Sequence, residues 1–197
     1  MRRSETGGRP SEARSRLLTT AARIFYADGI HAVGIDRIIA EAQVTRATMY
    51  RHFPGKDDLI LAYLHEADQA IRRGLDAAVD GGLPPADALR AVAVAIADGI
   101  RSEGFRGCAF LNAVSEYPDP GHPVHQAVLA HRQWFLDAVT ALLARVPDGP
   151  PSAEAAARHY VMLRDGAMAA GCLSDPGPIC ETFLQGVEGL LRARPPV

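Results

Sequence analysis

Residues 35–56 read Ile-Asp-Arg-Ile-Ile-Ala-Glu-Ala-Gln-Val-Thr-Arg-Ala-Thr-Met-Tyr-Arg-His-Phe-Pro-Gly-Lys: a short helix, a tight turn, a second short helix and a basic stop. Ile35, Ile38, Ile39 and Ala42 give the first helix one apolar face, and Val44 plugs the turn. Thr45 offers a hydroxyl N-cap to the second helix, on which Met49 and Phe53 recur at i, i+4 and point inward. Arg46, Ala47, Thr48, Tyr50, Arg51 and His52 are left facing outward. Two brief helices at a steep angle place side chains in the DNA major groove, and small, hydroxylated, aromatic and basic groups suit a surface of phosphates and base edges.

On either side of this stretch the apolar spacing stays helical. A helix is expected from Ser11 and Glu12, burying Leu17, Ala21, Ile24 and Phe25 and stopping at Gly29. Beyond the Pro54-Gly55 break, a long fourth helix begins at Lys56 with the stripe Ile60, Leu64, Ala67, Ile71 and Leu75, and Gly81-Gly82 with Pro84-Pro85 ends it. Leu89, Val92, Ala93, Ile96 and Ile100 mark a fifth helix, and Cys108 to Glu116 a short sixth. The three prolines between Tyr117 and Pro123 predict a loop. A seventh helix follows to Val146, then two more at about 152–173 and 179–194. No segment alternates as a strand does, so the chain reads as all-α with about nine helices. The organisation expected is an arm at 1–10, a helix-turn-helix head at 11–55 and a helical body at 56–197.

The chain of 197 residues is 48% hydrophobic and 22% charged, which suits a small head on a larger body. With no long apolar run and no leader pattern, the expectation is a cytoplasmic protein without membrane contact. Cys108, Cys172 and Cys180 are widely spaced and odd in number, which fits reduced thiols better than a disulfide frame or a zinc site. The net charge of −2 hides an asymmetry: residues 1–65 carry ten basic and seven acidic side chains, or +3, leaving −5 for the rest. A basic head on an acidic body is the pattern expected when only the head meets DNA.

From His159 to Leu173 the only charged or histidine side chains are His159, Arg164 and Asp165. A helix apolar nearly all round must be covered on more than one side. Ala156, Ala167, Ala170, Gly171, Gly186 and Gly189 permit close helix approach, so the last two helices, about 152–194, are read as pairing with their copies in a twofold four-helix bundle. An internal core helix in a monomer is the other reading.

The stretch from Gly29 to Leu59 resembles the TetR family of transcriptional regulators. The family pattern appears as Gly29, Ile38, Ala42-Gln43-Val44-Thr45, Ala47-Thr48-Met49-Tyr50-Arg51-His52-Phe53, Lys56 and Leu59. There are departures: Gln43 replaces a turn Gly, Ala47 replaces the Gly at the close approach to DNA, and Gly34 stands where a Ser or Thr often caps. A left-handed Gln43 costs on the order of 1 kcal/mol. The resemblance implies a homodimer on an inverted-repeat operator in double-stranded DNA, most often a repressor released by a small-molecule effector. It implies that Tyr50 reaches a phosphate or base, and that Thr45, Thr48 and His52 contact the backbone. Arg46 and Arg51 either read guanine or pair with phosphate, and Lys56, the chain's sole lysine, meets a phosphate at a helix N-terminus. Arg37 is either a further contact or a plain surface charge.

For the effector, the body offers walls from Phe105, Phe110, Leu111, His131, Trp134, Phe135, Tyr160, Met162 and Met168, with Asn112, Ser115 and His131 as polar anchors. The same residues also read as ordinary core. His122, His125 and His131 lack a carboxylate partner of metal-site spacing, so no metal and no cofactor are expected. No phosphate loop, nucleophile elbow or paired-carboxylate motif occurs. An all-helical enzyme or carrier that kept a helix-turn-helix head is the alternative, and catalysis is not expected.

Overall fold

A computed structural model describes residues 11–192; the arm expected at 1–10 and the end expected for the last helix at about 194 lie outside the described residues. Among the described residues there are nine helices and no strand: α1 Glu12–Asp28, α2 Ile35–Glu41, α3 Arg46–His52, α4 Lys56–Asp80, α5 Pro85–Arg101, α6 Ala109–Glu116, α7 Pro123–Leu143, α8 Ala153–Ala170 and α9 Pro176–Arg192. Two compact units divide within α4, one up to His65 and one from Glu66 onward.

In the first unit, Ser11 caps α1 by accepting from the Arg14 amide at 3.2 Å. Thr45 caps α3 by accepting from the Thr48 amide at 3.1 Å. Between α2 and α3, Gln43 takes φ +53°, the left-handed turn conformation that favours glycine. Leu17, Ala21, Ile24, Phe25, Ile38, Met49 and Phe53 form the core. The first turns of α4 close it with Leu59, Ile60, Tyr63 and Leu64.

In the second unit, α5 packs on α9, α7 on α8 and α8 on α9. Tyr160 is fully buried and donates its hydroxyl to the Leu89 carbonyl at 2.9 Å, which ties α8 to α5. Burial pushes that phenol far above its usual pKa. The small residues divide by face. Ala156 and Ala167 are buried within this unit. A Cβ on Gly171 would stand 2.6 Å from Ile100 Cγ2, so that glycine permits close packing of α8 on α5 inside one chain.

Prolines begin more helices than the sequence reading allowed. Pro123 is the first residue of α7, Pro85 the first of α5, and Pro176 starts α9 three residues before the expected Ile179. The first helical position needs no amide hydrogen bond and favours the φ of proline. Before α7, the His122 ring caps the helix, with Nδ1 accepting from the Val124 amide at 3.2 Å. No described helix is long and apolar enough to cross a membrane.

Candidate DNA interface and body cavities

On α3, Met49 is buried and Tyr50 is 43% exposed, so the apolar and outward faces separate as the periodicity requires. Ala47, Arg46 and Arg51 are exposed, and Thr48 is half-buried with its hydroxyl 2.9 Å from that of Thr45. His52 is half-buried, with Nε2 2.9 Å from the Ser11 hydroxyl, which fastens the end of α3 to the start of α1. Arg46 pairs with Asp36 of α2. Arg51 has no ion-pair partner among the described residues. Surface ion pairs contribute little to stability, so Arg46 can exchange Asp36 for a phosphate at small cost.

Arg37 is half of a clasp. It pairs with Asp28 at 2.6 Å and with Glu41 at 2.8 Å, and Glu41 also takes Arg23 at 2.5 Å. Hydrogen bonds from Arg23 and then Arg37 hold the Glu41 carboxyl below its usual pKa. Lys56 opens α4, and its ammonium donates to the Ile30 carbonyl at 2.6 Å and lies 5.9 Å from the Phe25 ring centre. Lys56 therefore braces the turn between α1 and α2.

In the body two cavities share one side chain. The larger, about 360 Å³, lies among α4, α5, α7 and α8, with Ile71, Leu75, Val92, Ile96, Phe135 and Met168 in its wall and Arg164 beside them. The smaller, about 250 Å³, is walled by Cys108, Phe110, Leu111, Val128, His131 and Arg164, with Arg132 and Asp165 at its side. Of the residues expected around an effector, Phe110, Leu111 and His131 thus meet in one cavity, and Phe135 and Met168 in the other. Trp134 stands next to both, 5.9 Å from the His131 ring and 4.0 Å beneath the Arg72 guanidinium. Phe105 packs half-buried against the core.

Asn112 and Ser115 line neither cavity. Asn112 donates to the Arg106 carbonyl at 2.9 Å, and Ser115 donates back to the Asn112 carbonyl at 2.7 Å. Met162 is 65% exposed and stands with Pro151, Ala155, His159, Leu163 and Leu190 along an apolar groove of about 650 Å³ between α8 and α9.

His131 is 3% exposed, stacked on Phe110 at 3.6 Å, and its Nδ1 lies 2.7 Å from an oxygen of Asp68. Burial drives its pKa down, the Asp68 bond pulls it up, and the nearby Arg164 charge pushes it down again, for a net lowering. The ring is therefore neutral at pH 7, donating through Nδ1 and leaving Nε2 as a buried acceptor without a partner among the described residues. Asp68 also binds Arg72 at 2.6 Å; burial alone raises its carboxyl, but the Arg72 and His131 bonds outweigh that and hold it low. His125 Nδ1 sits 2.7 Å from the Tyr117 carbonyl, so each of the three histidines has a structural partner of its own. Arg164, which lines both cavities, and Asp68, which holds His131, are the polar groups that the sequence reading did not single out as anchors. The available signal was Arg164-Asp165, a lone ionic pair in an otherwise apolar helical segment.

A capped seven-residue helix presenting Arg46, Thr48, Tyr50 and Arg51 on a rigid three-helix head defines a DNA-binding protein of the helix-turn-helix class. Residues 17–63 match the family described as bacterial regulatory proteins, tetR family. The TetR-family transcriptional regulator SCO4454 from Streptomyces coelicolor is 71% identical, covering 92% of this chain and 95% of that one, with a TM-score of 0.88. The transcriptional regulator AcuR from Cereibacter sphaeroides is 30% identical over 204 residues, covering 98% of this chain and 82% of its own length. A match to the regulator LmrA from Bacillus subtilis, 28% identical, spans 43% of that protein. The chain belongs to the TetR family of DNA-binding transcriptional regulators. The reading of the head as a relic on an enzyme or carrier is thereby set aside.

Proposed function

We propose that the protein is a homodimeric repressor that binds an inverted-repeat operator and releases it when a small molecule fills the body. The observation that carries this reading is α4. Its first turns hold Leu59, Ile60, Tyr63 and Leu64 in the head core, and its later turns put Ile71 and Leu75 in the wall of the 360 Å³ cavity. A ligand in that cavity touches the helix on which the head is built. If it fits better in the form whose heads are spread away from operator spacing, it lowers DNA affinity by its preference for that form.

The DNA contacts assigned are Tyr50, Arg51 and Arg46 at base edges or phosphates, Thr45, Ala47, Thr48 and His52 at the backbone, and Lys56 at a phosphate. Arg37 acts chiefly through the clasp that sets α2 against α1. The groove between α8 and α9, with Met162 exposed and Gly189 open, is the proposed twofold interface. Sedimentation of the free protein and of its operator complex tests this. Two chains per inverted repeat support the reading, and one chain per site contradicts it.

A further inference from the structure

We propose that the body takes a small amphipathic carboxylate, its apolar part in the 360 Å³ cavity and its anionic head on the Arg164 guanidinium, with His131 Nε2 as the second polar contact. This rests on the effector reading above and deepens it by naming the ligand class.

The argument begins with the cost of burying a cation. Arg164 is 4% exposed, and a guanidinium at that depth is expensive unless it is paired. Its partners are weak: Cys108 Sγ at 3.6 Å, an oxygen of Asp165 at 3.4 Å, and the Phe135 ring at 4.9 Å. Asp165 is already committed to Arg132 at 2.5 Å. Asp68 is shared between Arg72 and His131. With His131 neutral, this network holds three guanidiniums against two carboxylates, an excess of one positive charge. A single carboxylate balances it while His131 is neutral, and offsets the new charge in part once the ring is protonated. A cation would be repelled, and a neutral ligand would leave Arg164 poorly paired.

His131 supplies the second observation. Its Nε2 is buried, without a partner among the described residues, and His131 stands in the wall of the smaller cavity with Arg164. Burial depresses this imidazole most and the Arg164 charge adds to it; a carboxylate beside Arg164 offsets that second part, and the Asp68 bond favours the imidazolium. The ring then takes up a proton and donates through Nε2. The charged groups facing it are Asp68 and Arg72 from α4 and Arg132, Arg164 and Asp165 from α7 and α8. Binding is thus coupled to proton uptake and tightens as the pH falls from 8 to 6. The larger cavity holds roughly a dozen non-hydrogen atoms at about 30 Å³ each.

Isothermal titration calorimetry of the full chain with hexanoate, octanoate and phenylacetate, each against its primary amide, tests the proposal. The acids are expected to bind about 30-fold or more tighter than the amides, with proton uptake read from buffers of different ionisation enthalpy. Arg164→Met should erase the preference for acids and Arg164→Lys should keep it. The methionine variant is expected to fold with an equal or higher melting temperature, because Asp165 retains Arg132. Equal binding of acids and amides, no binding by any of the acids, or an acid preference that survives in Arg164→Met overturns the anion site. Should an amide bind as tightly as its acid and release DNA, the anion site falls while the effector reading stands. Should the acids bind with the expected preference yet leave DNA bound, the anion site stands and the release mechanism falls.

Discussion

Arg51 and Lys56 are both cations of the head, yet their surroundings assign them different work. Arg51 is exposed without an ion-pair partner among the described residues, whereas Lys56 spends a donor on the Ile30 carbonyl. Arg51→Ala should therefore lower operator affinity by about 1–3 kcal/mol and relax sequence preference, with the fold unchanged. Lys56→Ala should weaken binding to all DNA alike, flatten the salt slope and also lower the stability of the head, since the turn after α1 loses its brace. Fluorescence anisotropy with operator and scrambled duplexes, beside thermal melts, separates the two; the same response from both variants would contradict the assignment. Gln43 was legible as a strained residue because the family's turn glycine is missing there, and its φ of +53° is the strain itself. Gln43→Gly is expected to stabilise the chain by about 0.5–1 kcal/mol in urea titrations, and a loss of stability would count against strain at that turn.

At the scale of elements, the spacing of apolar residues made every helix legible, because each buries a stripe at the 3.6-residue period. The starts of α5, α7 and α9 were less so, because proline forbids a helix interior yet favours its first position, and sequence spacing alone does not separate the two. The use of small residues was also hidden: Ala167 and Gly171 serve packing within the chain, while Gly189 lies open on the groove of α8 and α9. Met162 reads as cavity wall from its chemistry, and the direction it points from α8 puts it on that groove instead. In a twofold interface each substitution occurs twice, and a buried unpaired charge costs several kcal/mol. Met162→Glu is accordingly expected to raise the dimer dissociation constant by about 100-fold or more in analytical ultracentrifugation, with helix content intact. An unchanged dimer would remove that face from the interface.

Across the whole molecule, the head's function could be read from sequence because its side chains act locally, on one short helix. The body's polar cluster could not, since Asp68 and His131 lie 63 positions apart and Arg164 further still, and only folding brings them together. That cluster also sets a pH dependence. Asp68 has its folded pKa depressed, so its contribution is present above its unfolded pKa and is lost as pH falls through the folded value. Asp68→Asn should cost about 1.5–3 kcal/mol at pH 7, and the difference from wild type should shrink in acid; a constant difference from pH 7 to pH 3 would contradict this. The central claim, that two of these heads act together on DNA, is tested most directly by selecting binding sites from a random duplex pool with the full chain and sequencing them. The expected result is an inverted repeat with half-sites about one helical turn apart, or a multiple of it. A lone half-site, or enrichment without any sequence pattern, would contradict the account.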